Sequence, residues 1–339
     1  MPKARTLDEV AADIKALKVQ GARRIARAAL EALTGEALRS QAKTTGDLYE
    51  ELLDAARRLE KTRPTEPMMR NALDDALRYT LTFVRHHPAQ GVKELVRALQ
   101  DHDAQMLRQM DASVQAIARY GAAEIKDGAN VLVHCHSSTL IAILKQAQAD
   151  GKHPRVTCLE TRPLFQGRLT ARELAAAGIE TRLAVDSAAG THIMESDLVL
   201  VGADAITAEG DLINKIGTRT LAQLAFCHSV RFLCAAELYK YDPLTRWGRT
   251  EPIEQRDPME VWGKGRYARE VSPDGRGGAA EEALPIPPGL AVLNPAFDRT
   301  PAQMVSAYVT EAGLCPPAQL ALWAQRLRQG KAIAPESSR

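Results

Sequence analysis

The chain has 339 residues, 45% hydrophobic and 25% charged, which is enough apolar material for one large core or two ordinary ones and favours two domains. The net charge of +2, with Lys and Arg scattered along the chain, excludes a nucleic-acid or anionic-membrane footprint but not a small anionic ligand. No uncharged stretch approaches the roughly 18 to 20 apolar residues needed to cross a bilayer, so a transmembrane span is excluded.

The opening segment has no apolar run leading to a small-residue cleavage site, and a cytoplasmic protein is expected. The 5 cysteines, Cys135, Cys158, Cys227, Cys234 and Cys315, are widely spaced and contain no CxxC pair. They read as reduced thiols rather than as a disulfide framework or a zinc site.

Residues 1–125 read as a helical N-terminal domain. Thr6 and Glu9 form a capping-box pattern, and Leu7, Val10, Ile14 and Leu17 make one face of the helix that follows. Apolar spacing of three and four predicts further helices over Asp47–Leu59, Pro67–Phe83 and Val92–Arg119.

From 126 to 339 the rhythm changes. Strand-length apolar runs at Asn130–His134, Arg155–Leu159, Thr181–Val185, Asp197–Val201 and Val230–Ala235 alternate with helices at Thr139–Ala149, Ala171–Ala177 and Thr218–Cys227. Thr170 and Glu173 give a second capping-box pattern, and Gly178 stops that helix. The alternation predicts an α/β, Rossmann-like domain with a mostly parallel sheet. A Pro-, Gly- and charge-rich stretch from about 242 to 288 reads as an extended connection or lid, and the last ten residues as a frayed tail.

Ligands of open α/β sheets bind at the carboxyl ends of the strands, so polar residues after each strand are the first suspects. They are His134-Cys135-His136-Ser137-Ser138, Glu160-Thr161-Arg162-Pro163, Asp186-Ser187, Gly202-Ala203-Asp204, and Glu237 with Lys240. Cys135 falls at a strand-to-helix turn, where free N–H groups and the helix dipole lower a thiol pKa towards neutrality; a small buried side chain is the other reading.

Asp204 follows an apolar run, where partial desolvation lets a carboxyl hold a proton near neutral pH and act as a general acid; a turn cap is its alternative. Asn214, Lys215 and Gly217 suit a phosphate or sugar hydroxyls, or else form an ordinary polar turn. No Walker loop and no GxGxxG fingerprint is present, which disfavours a nicotinamide or flavin cofactor and a plain dehydrogenase. His134 and His136 lack a third ligand candidate nearby, so no metal is expected.

Eight segments carry a resemblance. They are Gln20-Gly21-Ala22, Thr62-Arg63-Pro64-Thr65, His134 to Ser138, Glu160 to Pro163 with Gln166-Gly167, Gly202-Ala203-Asp204, Asn214 to Thr218, Ala236-Glu237 with Lys240, and Asn294-Pro295-Ala296-Phe297-Asp298 with Thr300-Pro301. In this order, over nearly the whole chain, they resemble the ribose-1,5-bisphosphate isomerases, especially the archaeal ones. That superfamily also holds methylthioribose-1-phosphate isomerase and the regulatory subunits of translation initiation factor two B.

The translation-factor subunits generally lack the cysteine and acid found here. The run Glu254-Gln255-Arg256-Asp257-Pro258 with Val261, and Tyr239-Lys240, look like the ribose-bisphosphate branch.

The resemblance implies an aldose-ketose isomerase without a cofactor, with Cys135 and Asp204 as the catalytic pair. It implies sugar and phosphate contacts from Gln20, Gly21, Ala22, Arg23, Arg63, Ser137, Ser138, Asn214, Lys215 and Lys240. It also implies a homo-oligomer, dimer or hexamer, and a nucleotide activator such as AMP.

Two positions depart from the family pattern: Gln20 stands where arginine is usual, and His136 where asparagine is usual. A lost arginine removes a charge-assisted phosphate contact worth roughly 1.5–3 kcal/mol. Arg23 and Arg24 follow, but on a helix they are expected to face different directions. The alternatives are an isomerase of methylthioribose 1-phosphate or another pentose 1-phosphate, and a non-catalytic sugar-phosphate- or nucleotide-sensing subunit.

Overall fold

The computed structural model describes residues 5–246, 249–250, 253–263 and 285–329. Most of the expected lid and the tail at 330–339 lie outside the described residues. Among those described, no helix is long and apolar enough to cross a membrane.

Five helices come first: α1 (Leu7–Lys15), α2 (Ala22–Arg39), α3 (Thr45–Glu60), α4 (Pro67–His86) and α5 (Val92–Ala123). The capping box at α1 is formed, with Glu9 N–H donating to Thr6 Oγ1 at 3.2 Å and Thr6 N–H to Glu9 Oε2 at 2.8 Å. Leu7, Val10 and Ile14 are buried. Leu17 lies beyond the helix at φ 59, which takes it off that stripe.

α2, which the sequence argument passes over, buries Ile25, Ala26, Ala29, Leu30 and Leu33. α4 starts on Pro67, where the missing N–H goes unused.

α5 has 32 residues and is about 48 Å long. Its first half, through Leu95, Leu99, Met106 and Met110, belongs to the helical core. Ile117 and Ala122 belong to the core beneath the sheet. This one helix therefore ties both cores together. Gly121 permits the crossing with the next helix, since a Cβ there would stand 2.5 Å from Ile143 Cδ1.

A polar cluster also joins α4 to α5. His102 stacks on Tyr79 at 4.2 Å between centroids, with Nδ1 3.0 Å from Asp103 Oδ1 and Nε2 3.6 Å from Asp75 Oδ2. Burial alone lowers its pKa, but the bonds to Asp103 and Asp75 outweigh burial and raise it to about 9.

An elevated histidine pKa contributes stability that is full below about 6.5 and lost as pH rises through the folded value. The protein is therefore expected to lose on the order of 3 kcal/mol of this stabilisation between about pH 6.5 and pH 9.5. Denaturant unfolding across that range should show the decline in the wild type, flattened in His102→Gln. A wild type and variant with parallel pH profiles would refute the charged cluster.

The second half alternates strands and helices: β1 (Asn130–Val133), α6 (Ser138–Ala149), β2 (Arg155–Leu159), α7 (Gln166–Ala176), β3 (Glu180–Ala184), α8 (Ala189–Ile193) and β4 (Leu198–Val201). Then come β5 (Ala205–Thr207), β6 (Leu212–Lys215), α9 (Thr218–Cys227), β7 (Arg231–Ala235), β8 (Tyr241–Asp242) and α10 (Met259–Trp262). The chain closes with β9 (Phe297–Thr300), β10 (Ala307–Thr310), β11 (Gly313–Cys315) and α11 (Leu320–Arg328).

Seven strands form one sheet in the order β11-β10-β7-β4-β1-β2-β3, parallel except for β11. β4 reads Leu-Val-Leu-Val and is buried throughout, as a strand covered on both faces must be. One face packs Val199, Phe232, Tyr308 and Trp323, and the other Val131, Val133, Ile143 and Leu200.

From β1 the chain runs outward to β2 and β3, then returns to place β4 on the other side of β1. The crevice above the β1–β4 boundary is thus the topological switch point, where such sheets bind ligands. A second sheet, β8-β5-β6-β9, stands beyond β4 and was not anticipated; its strands are two to four residues long.

Candidate active site

Cys135 follows β1 by two residues, in left-handed backbone at φ 68. For a side chain with a Cβ that conformation costs roughly 1–2 kcal/mol, and polar contacts hold it. Its N–H donates to Thr161 Oγ1 at 2.9 Å and its carbonyl accepts from Thr170 Oγ1 at 2.8 Å. Thr161 N–H donates in turn to Asp186 Oδ1 at 2.8 Å. The loops after β2 and β3, with α7, therefore fix the backbone that carries the sulfur.

Thr170 does not cap a helix, contrary to expectation. α7 begins at Gln166, which leaves Thr170 inside the helix with its hydroxyl free to clamp Cys135.

A second correction concerns the thiol. Cys135 precedes the N-cap Ser137 of α6 by two residues, and burial pushes the thiol up to about 11, against the pull of Lys215 and with a smaller push from Asp204. The expected drift towards neutrality is absent because desolvation outweighs the helix terminus.

Asp204 sits between β4 and β5, where the chain leaves one sheet for the other, with its N–H donating to Ile213 O at 3.0 Å. Burial raises its carboxyl pKa, and Lys215, Lys240 and Arg63 only partly offset this. The direction of this shift is the one that the expected proton-holding acid requires.

Lys240 Nζ donates to Ala203 O at 2.7 Å and lies 3.3 Å from Glu237 Oε2. Asn71, from α4, donates to the carbonyls of Tyr239 at 2.6 Å and Tyr241 at 2.8 Å, holding the backbone on both sides of that lysine. Asn214 and Lys215 belong to β6 rather than to a turn. Asn214 Nδ2 donates to Thr218 Oγ1 at 3.0 Å, and Lys215 Nζ lies 4.7 Å over the Phe297 ring.

The opposite wall is the start of α2. Gly21, its N-cap, has φ 90, a conformation that suits glycine, and no side chain caps this helix. Gln20 Nε2 is taken by Leu17 O at 2.8 Å. Arg23 and Arg24 both border the cleft, contrary to the expectation that they diverge. They lie on the first turn, which points its end at the opening. Arg23 Nη2 donates to Ser138 Oγ at 3.1 Å.

These groups surround a cleft of about 420 Å³. Every catalytic and contact residue that the resemblance implies lines it: Cys135, Asp204, Gln20, Gly21, Ala22, Arg23, Arg63, Ser137, Ser138, Asn214, Lys215 and Lys240. Glu160 and Asp186, also suspected at the strand ends, do not; Asp186 instead holds the backbone of Thr161 and Arg162.

His134 Nε2 lies 2.9 Å from Ile216 O and His136 Nδ1 3.1 Å from Thr170 Oγ1, so the two histidines turn to different partners. Among the described residues no cluster of three His, Cys, Asp or Glu side chains is placed to hold a metal. Glu66 and Arg24 also line the cleft; Glu66 was not foreseen, and its one local signal is a charged residue at the start of a helix.

Fold and cleft together define a doubly wound α/β protein whose switch-point cleft is lined by a thiol, a buried carboxyl with a raised pKa, and several cations. Residues 18–317 match the model of the initiation factor 2 subunit family, and the chain belongs to that family. Ribose 1,5-bisphosphate isomerase of Pyrococcus furiosus is 38% identical over 315 residues, covering 92% of this chain and 91% of the relative. Methylthioribose-1-phosphate isomerase of Pelotomaculum thermopropionicum is 36% identical over 326 residues, covering 93% and 84%.

Among solved structures, 5-methylthioribose 1-phosphate isomerase of Pyrococcus horikoshii superposes with a TM-score of 0.71 at 30% identity, over 95% of this chain and 88% of that one. On these relatives the chain is an isomerase.

Proposed function

We propose that this isomerase converts ribose 1,5-bisphosphate to ribulose 1,5-bisphosphate by proton transfer between the substrate and the pair Cys135 and Asp204. The observation that carries the reading is their placement on the two sides of the switch point, in one cleft with Lys215 and Lys240.

An aldose 1-phosphate cannot open to its aldehyde, because the anomeric oxygen is phosphorylated. Asp204 donates its proton to the ring oxygen as the C1–O4 bond breaks, while the Cys135 thiolate removes the proton from C2 and the C1–C2 double bond forms. The resulting phosphoenolate returns its C2 hydroxyl proton to Asp204 and takes a proton at C1 from Cys135, leaving the ketone at C2.

The thiolate is the minor form, because burial holds the proton on sulfur, and Lys215 is the cation that favours it. The unblocked start of α2, with Arg23 and Arg24, and the start of α6, with Ser137 and Ser138, offer two anion sites for the two phosphates.

Gln20 is bonded within its own loop, which removes it as a phosphate ligand, but two arginines stand beside it. A substrate with the 5-phosphate is therefore expected to exceed ribose 1-phosphate and methylthioribose 1-phosphate in kcat/KM by about 100-fold, the worth of one charge-assisted contact. Purified protein incubated with each sugar and followed by 13C and 31P NMR tests this. Equal rates would transfer the assignment to a 5-substituted pentose 1-phosphate, and no turnover of any would remove it.

A further inference from the structure

Glu66 is 2% exposed, at the start of α4, yet its carboxylate accepts no N–H from that helix. It turns instead to the cleft. Oε1 lies 3.1 Å from Arg63 Nη2, while Oε2 is buried and meets no donor among the described residues. Arg63 Nη2 also stands 3.6 Å from Glu254 Oε2, so this corner holds three acids, Glu66, Asp204 and Glu254, against Arg63 and Lys240.

A buried polar oxygen left without a partner marks a position that something else completes. Its neighbours decide what kind of group that is. Three carboxyl groups set against two cations make the corner unwelcoming to a phosphate dianion. Burial, then the charge of Asp204, raises the Glu66 carboxyl to about 8, so near neutrality it offers both a donor and an acceptor. A sugar hydroxyl, itself both donor and acceptor, matches that offer.

We propose that Glu66 is a specificity-determining residue of this cleft, its Oε2 hydrogen-bonding the C3 hydroxyl of the bound pentose. The choice of hydroxyl rests on the proposed reaction. The oxygens on C1 and C5 carry phosphate, that on C4 closes the ring, and that on C2 becomes the carbonyl. Asp204 serves the oxygens on C4 and C2 in turn. The hydroxyl between them is the one on C3, and Glu66 stands beside Asp204.

The test compares ribose 1,5-bisphosphate with its 3-deoxy analogue in the full-length wild type, Glu66→Gln and Glu66→Ala. A site built around a hydroxyl rejects the analogue lacking it by large factors. The wild type is expected to prefer the parent sugar by about 1,000-fold or more in kcat/KM, Glu66→Gln to keep most of that preference, and Glu66→Ala to reduce it to about 10-fold. A ratio unchanged in Glu66→Ala overturns the assignment; a merely structural role would slow both sugars alike.

Calorimetric affinities of the same proteins for both sugars separate this from the reaction itself. A wild type that binds the parent sugar more tightly without turning it over removes the proposed reaction and keeps Glu66. Equal affinity for both sugars removes Glu66.

Discussion

A Cys135→Ser chain is expected to fold as the wild type does and to lose turnover of ribose 1,5-bisphosphate by roughly 10²–10⁴-fold, the usual worth of a positioned acid-base group. Serine keeps the small side chain at a position whose backbone is clamped by Thr161 and Thr170, so the geometry survives while the titratable sulfur does not. Circular dichroism and an NMR assay of the two proteins side by side make the comparison. A serine variant within a few-fold of the wild type would refute the role of the sulfur.

The environment of the thiol makes a separate claim. With the pKa pushed up to about 11 by burial, the thiolate is scarce at neutral pH and its share grows about tenfold for each pH unit. Alkylation of Cys135 by iodoacetamide, followed by mass spectrometry of its peptide, should therefore keep accelerating up to about pH 10. A plateau near pH 8 would show a thiolate already formed, and the burial argument would fail.

The contrast between these two claims marks what a sequence can express. The apolar runs of β1, β2, β4 and β7 bound themselves, and the polar residues following them fall at the strand ends by chain geometry, so Cys135 and Asp204 were legible as rim residues. The binding set came from ordered motifs, and the cleft gathers all of it.

What was not legible depends on contacts between distant segments. The thiol pKa turns on what buries Cys135, and the hydroxyl of Thr170 reads as a cap until α7 is seen to start four residues earlier. Arg24 borders the cleft only because the first turn of α2 points into it. Glu66 has no pattern of its own; its raised pKa comes from burial and from Asp204, 138 residues away in the chain. The strands of the second sheet are too short to show alternation.

Asp204→Asn is expected to have two effects of opposite sign. Turnover falls by roughly 10²–10⁴-fold, because an amide N–H is too weak an acid to protonate the ring oxygen. Stability rises at neutral pH. Burial sets the folded pKa of Asp204 above the ordinary carboxylate value, and Lys215, Lys240 and Arg63 do not cancel it. Between about 3.9, the unfolded value, and that raised value, the folded chain keeps a proton that the unfolded chain has lost.

The folded state then binds more protons than the unfolded one, so stability declines as pH climbs through the window. Asparagine carries no such cost. Denaturant midpoints should favour the variant increasingly as pH rises from about 3.9 towards the raised folded value. A variant that loses stability relative to the wild type over that range would mean that the lysines, not burial, govern Asp204. The residue would then rest ionised, and the ring oxygen would need another acid. Glu66, buried in the same cleft with a pKa of about 8, is the group whose substitution should then show the larger loss of turnover.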